Sequence, residues 1–146
     1  MESDEEMENK FHVLVDSDAF VGRLYKKDSH HERSLSLFAK LEAANNTLTT
    51  TSMVVAETVT VLGLRSGPAL ARRFLLILRR SGLAIIHIDE KLQQEAIRLF
   101  EAQNKPGISV ANCANVAVMR RFHIPQILSF DQTYEQQFRV SLANGR

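Results

Sequence analysis

Two aspartates stand where short apolar runs stop. Phe11-His12-Val13-Leu14-Val15 ends in Asp16-Ser17-Asp18, and Ile127-Leu128-Ser129-Phe130 ends in Asp131. If both runs are strands of an open parallel sheet, both acids lie beyond carboxyl ends, where functional groups gather. Each is equally able to cap a following helix. Asp89 also ends an apolar run, but Glu90 follows it and a helical stretch opens there, so capping is its expected role. Glu57 lies in Ser52-Met53-Val54-Val55-Ala56-Glu57-Thr58-Val59, apolar on nearly every side. Glutamate is seldom buried unless paired or bound to a metal, so this placement points to function; the alternative is an exposed stripe beside Thr58. Asn112 falls in Ser109-Val110-Ala111-Asn112-Cys113-Ala114-Asn115, the first turn of an otherwise apolar helix. A helix N-terminus favours anions, and asparagine there commonly serves as a neutral cap.

Other reactive types carry less. His30-His31-Glu32 lacks the spacing of a helical metalloprotease motif and reads as a solvated helix start. Ser17 and Ser129 neighbour aspartates, but no G-x-S-x-G turn surrounds either. The absence of a glycine-rich phosphate loop argues against nucleotide binding. Arg72-Arg73, Arg79-Arg80 and Arg120-Arg121 read as solvated helix faces. Cys113 is the only cysteine, which excludes an intramolecular disulfide and any cysteine-based zinc cluster. It reads as a small core residue of a reducing compartment.

The elements that must position these groups alternate between strand and helix. Strands are expected over residues 11–15, 47–52, 83–88 and 127–130, with a brief edge strand near 139–142. Helices are expected over 19–26, from Asp28 or Ser29 through a stripe of Leu35, Phe38 and Leu41, over 53–64, 69–80, 90–103 and 110–122, and in a short turn at 132–137. Such alternation implies right-handed crossovers and a parallel sheet covered by helices. The 146 residues, 45% hydrophobic and 24% charged, suit one ordinary globular domain with a sizeable core. A net charge of +1 does not announce a polyanion binder, so any such site must be local. No apolar run approaches the roughly 20 residues that span a bilayer. Residues 1–10, MESDEEMENK, read as a disordered acidic extension and residues 11–146 as the domain.

Four anchors in this order resemble the PIN-domain nucleases, specifically the VapC-like toxins of type II toxin–antitoxin pairs. They are Val15-Asp16-Ser17-Asp18-Ala19-Phe20, then Ala56-Glu57-Thr58, then Ile108 to Met119 around Asn112-Cys113, and Ile127-Leu128-Ser129-Phe130-Asp131-Gln132-Thr133-Tyr134. The resemblance covers roughly residues 11 to 142 and implies a three-layer α/β/α fold around a central parallel sheet. It implies a cytoplasmic Mg²⁺- or Mn²⁺-dependent endoribonuclease, without membrane attachment, neutralised by a cognate antitoxin and homodimeric. By the same analogy Asp16, Glu57, Asn112 and Asp131 are the catalytic and metal positions, with Asp16 central and Asp18 acting through a water. The residue types agree, since hard divalent cations take oxygen ligands and can activate water while neutralising phosphate charge.

The chain departs from the family at Asn112, where aspartate normally precedes the cysteine. A neutral amide should weaken both metal affinity and water activation. The departure is either native or a replacement made at that one position. An alternative of another class is a catalytically dead PIN-like module that binds RNA or protein. A response-regulator-like phosphoacceptor would need a lysine after a later strand, and none follows the fourth.

Overall fold

The computed structural model describes residues 9–143. Five parallel strands, β1 Val13–Val15, β2 Leu48–Thr51, β3 Ala84–Ile86, β4 Gln126–Leu128 and β5 Ser141–Leu142, lie in the order β3-β2-β1-β4-β5. The helices are α1 Ser17–Leu24, α2 His31–Ala43, α3 Ser52–Ser66, α4 Pro68–Ser81, α5 Glu90–Glu101, α6 Val110–Arg121 and α7 Thr133–Phe138. Every expected element is present, and together they form the expected α/β/α arrangement with a central parallel sheet.

The period of two along β1 sorts the core into halves. Leu14 faces the cluster containing Cys113, Val116, Phe122 and Tyr134 of α6, its C-terminal turn and α7. Val13 and Val15 face Phe20, Phe38, Leu62 and Phe74 of α1 to α4. A strand buried on both faces must be apolar throughout, which is why β1 reads as a continuous hydrophobic run. The central threonines of β2 are buried yet satisfied: Thr50 donates to the Val15 carbonyl at 2.8 Å and Thr49 to the Ala84 carbonyl at 2.9 Å.

Three sequence expectations shift in detail. The apolar face of α2 is Leu37 and Phe38 rather than Leu35, which is exposed. The N-cap of α2 is His30; Asp28 instead accepts the His30 N–H at 2.9 Å, one turn ahead of the helix. Asp131 lies three residues past the last residue of β4, because the ladder ends at Leu128. Of the expected acidic extension, residues 1–8 lie outside the described residues, and Asn9 donates to the Phe122 carbonyl at 3.1 Å.

Asp89 is the N-cap of α5, its Oδ1 accepting the Leu92 N–H at 2.9 Å. Its ion pair with Arg121, at 3.7 Å and on an exposed carboxylate, adds little. Asp89→Ala should therefore cost about 1 kcal/mol in a urea melt. A loss several times larger would mean that Asp89 does more than cap. Cys113 is fully buried, and burial pushes its thiol above the usual range. Among the described residues no helix is long and apolar enough to cross a membrane.

Candidate functional site

The strand order creates the site. The chain builds from β1 outward to β3, then returns to place β4 on the other side of β1. The crevice beyond the carboxyl ends of β1 and β4 is thus the switch point of the sheet. Asp16 follows β1, and Ser129, Phe130 and Asp131 follow β4.

Asp16 is buried, and both its oxygens are engaged. Oδ1 accepts the Ser17 N–H at 2.8 Å and the Asn115 amide at 3.1 Å, and Oδ2 accepts the Tyr134 hydroxyl at 2.7 Å. Burial raises its pKa above the ordinary carboxylate value; the Tyr134 and Ser17 hydrogen bonds oppose this, and the charge on Glu57 adds to it. Tyr134 is itself buried, and burial with the neighbouring Asp16 charge raises its phenol well above the usual range. Its oxygen donates once to Asp16 and accepts from Asn112 at 3.1 Å and Asn115 at 2.9 Å. That uses its one proton and both lone pairs.

Asn112 is held from the other end. Ser109 caps α6, and in the capping box Asn112 Oδ1 accepts the Ser109 N–H at 3.0 Å and its hydroxyl at 2.9 Å. A backbone N–H can only donate, so this contact fixes which end of the amide is oxygen. The other end, Nδ2, faces the acids, donating to Asp131 Oδ2 at 3.3 Å and to Tyr134. Asp131 Oδ1 accepts the Thr133 N–H at 2.9 Å at the start of α7. Glu57 is half-buried on α3, and its carboxylate accepts the Ser17 hydroxyl. It therefore reaches Asp16 through Ser17 rather than directly.

Asp18, on α1, reaches across the sheet end. Its Oδ2 accepts the Ser129 hydroxyl at 2.9 Å and the Phe130 N–H at 2.8 Å, while its Oδ1 is buried without a partner. Burial first, then the charge on Asp16, push its pKa up to about 7 against those hydrogen bonds. Asp18 thus positions the loop after β4 that carries Asp131. Ser17 and Ser129 are connectors too; Ser129 Oγ also accepts the Asp131 N–H at 3.1 Å.

The four residues singled out from the sequence lie at one end of the sheet, Asn112 and Asp131 in direct contact and Asp16 tied to Asn112 through Tyr134. Sequence reasoning gave no role to Asn115 or Tyr134. The available signal was spacing: Asn115 lies three residues after Asn112, on the same face of a helix too apolar to bury an unpaired amide at no cost.

These donors do not suit a divalent cation as they stand. Cations require oxygens, whereas Asn112 presents N–H groups toward Asp131 and Tyr134, and Asp16 already accepts from three donors. Among the described residues no three histidine, cysteine, aspartate or glutamate side chains are grouped to hold a metal ion.

The model of the PIN domain family matches residues 13–137. The chain belongs to the PIN-domain family. Solved structures similar to this PIN domain include the Mycobacterium tuberculosis toxin VapC20, which cleaves the sarcin–ricin loop. It is 22% identical, with a TM-score of 0.74, over 84% of this chain and 92% of that one. VapBC2 of Rickettsia felis, bound to a promoter DNA fragment, is 18% identical with a TM-score of 0.60, over 88% and 92%. FitAcB of Neisseria gonorrhoeae is 15% identical with a TM-score of 0.62, over 89% and 95%. At these identities the PIN domain and its relatives share a fold. No curated protein sequence matches the chain.

Proposed function

We propose that this PIN domain is a ribonuclease of the toxin–antitoxin type whose site, with asparagine at position 112, holds Mg²⁺ or Mn²⁺ poorly and cleaves RNA slowly. The observation that carries the reading is the Asn112 amide among acids. It contacts Asp131 directly and Asp16 through Tyr134, at the switch point where a family aspartate is expected. An amide donor between acids does part of what a bound cation does: it offsets their mutual repulsion. The likeness to a toxin that cleaves the sarcin–ricin loop supports RNA as substrate. The family resemblance supports a cognate antitoxin as partner and a homodimer as the assembled state.

Metal affinity tests the role of position 112. In Asn112→Asp the Ser109 capping contacts can persist, while the donor that faced Asp131 becomes an oxygen. Calorimetric Mg²⁺ titration should show at least tenfold tighter binding in Asn112→Asp than in the unaltered chain. Equal affinities would remove position 112 from the ligand set. The same close hydrogen bonding among the acids, Asn112 and Tyr134 favours a second reading, a catalytically dead module that binds RNA or protein. Under that reading Asn112→Asp would take up Mn²⁺ and still cleave nothing.

A further inference from the structure

Beside the acids, the helix start His30-His31-Glu32 has an arrangement its sequence does not announce. The His30 ring stacks on Phe130, with centroids 4.2 Å apart and planes within 7° of parallel. Phe130 lies between Ser129 and Asp131, and its N–H is held by Asp18, so the stack is fixed in register with the acidic site. The Arg33 guanidinium lies 5.3 Å over the same Phe130 ring. Arg65, at the end of the helix that carries Glu57, is anchored to Asp28 at 2.6 Å and lies over the Tyr25 ring at 4.7 Å. Beside His30 and Arg65 is a cavity of about 160 Å³, lined also by Ser17, Asp18, Asp28 and two valines, Val21 and Val61. Asp18, in its wall, carries the buried carboxylate oxygen that has no partner.

A solvated helix start needs none of this. Two parallel rings held against an arginine, next to a hollow, match how proteins take unpaired bases. Such bases stack on aromatic or histidine rings, hydrogen-bond by their edges, and leave their phosphates to arginine. Phe130 covers one side of His30, and 44% of the His30 side chain remains exposed for a further ring.

We propose that the Phe130–His30 stack, flanked by Arg33 and Arg65, is a subsite for one unpaired nucleotide of an RNA strand beside the acid cluster. The ligand is a nucleotide whose base stacks on the exposed part of the His30 ring, with its phosphate on the guanidinium side. The subsite rests on RNA being the substrate, and it would set which nucleotide enters next to the scissile bond.

The unaltered chain is suited to the test, because slow cleavage leaves the probe intact. Fluorescein-labelled single-stranded hexanucleotides of A, C, G or U should bind by anisotropy. His30→Ala should weaken binding about tenfold, within the range for losing one base stack. The chain has no tryptophan, so His30→Trp places a lone reporter in the stack. It should bind at least as tightly as the unaltered chain, with its emission quenched by bound oligonucleotide. Arg33→Gln should weaken binding and steepen its loss with salt less than the unaltered chain does. If the oligonucleotides bind while His30→Ala is unchanged and His30→Trp stays bright, the subsite is wrong and the RNA reading stands. If no oligonucleotide binds any of these proteins, both fall. Thermal melts of each variant establish that it is folded.

Discussion

Asn112→Asp is expected to raise Mg²⁺- or Mn²⁺-dependent RNA cleavage by about 10²–10³-fold, the usual effect of one well-placed electrostatic group in an active site. The contacts of position 112 say why this one atom matters. The amide nitrogen lies 3.3 Å from Asp131 and shares Tyr134 with Asp16. Replacing it with an oxygen turns a hydrogen bond into a contact between carboxylates, whose repulsion at such range is about 5 kcal/mol at an effective dielectric of 20. The substituted protein should thus melt at a lower temperature than the unaltered chain in EDTA and recover with added Mg²⁺, because a ligand that binds only the folded state stabilises it. The unaltered chain should show little of that recovery. In the Asn112→Asp background, Asp16→Ala or Asp131→Ala should abolish cleavage. Cleavage that persists undiminished in EDTA would refute the metal-dependent reading. A folded Asn112→Asp protein that binds Mg²⁺ but leaves a mixed RNA pool intact would favour the non-catalytic module.

Asp18→Asn carries the largest expected effect on stability. In the folded chain the Asp18 carboxyl titrates near 7, against an ordinary value of 3.8, chiefly because it is buried and then because Asp16 is close. The folded state therefore holds a proton that the unfolded chain has released. The stabilisation is complete below about pH 4 and is lost as pH rises toward 7. The full shift corresponds to about 4 kcal/mol at 1.36 kcal/mol per unit, and partial solvent access should bring the observed change to roughly 2–3 kcal/mol. An asparagine at 18 can still accept from Ser129 and Phe130 through its carbonyl oxygen. It leaves a neutral amide where the partnerless carboxylate oxygen was. Urea melts should show the unaltered chain more stable at pH 5 than at pH 8. Asp18→Asn should gain at pH 8 and lose most of that slope, with a remainder from Asp16, whose pKa is also raised. Identical slopes in the two proteins would show that Asp18 is not the responsible group.

The one-dimensional pattern was enough for the elements, since strand and helix periods are local properties of the chain. The apolar run at Val13–Val15, the cap at Asp89 and the glycine that ends α4 in a left-handed turn at Gly82 are all legible as spacing and residue type. The position of Asp16 and Asp131 beyond strand ends was legible too, because each follows an apolar run of strand length. The sequence by itself could not say which strand ends are neighbours. That depends on the reversal between β3 and β4, which sets β4 beside β1 and carries Asp131 toward Asp16. Nor could it orient the Asn112 amide, because the deciding partners are a helix cap on one side and, across the fold, Asp131 and Tyr134 on the other. Tyr134 illustrates the limit: its sequence neighbours Gln132, Thr133, Glu135 and Gln136 are all polar, and only packing against α6 and the end of β1 buries it and brings its hydroxyl to three polar side chains at once. Propensity and period act over a few residues. The pairing of buried polar atoms acts across more than a hundred, and tertiary structure alone decides it.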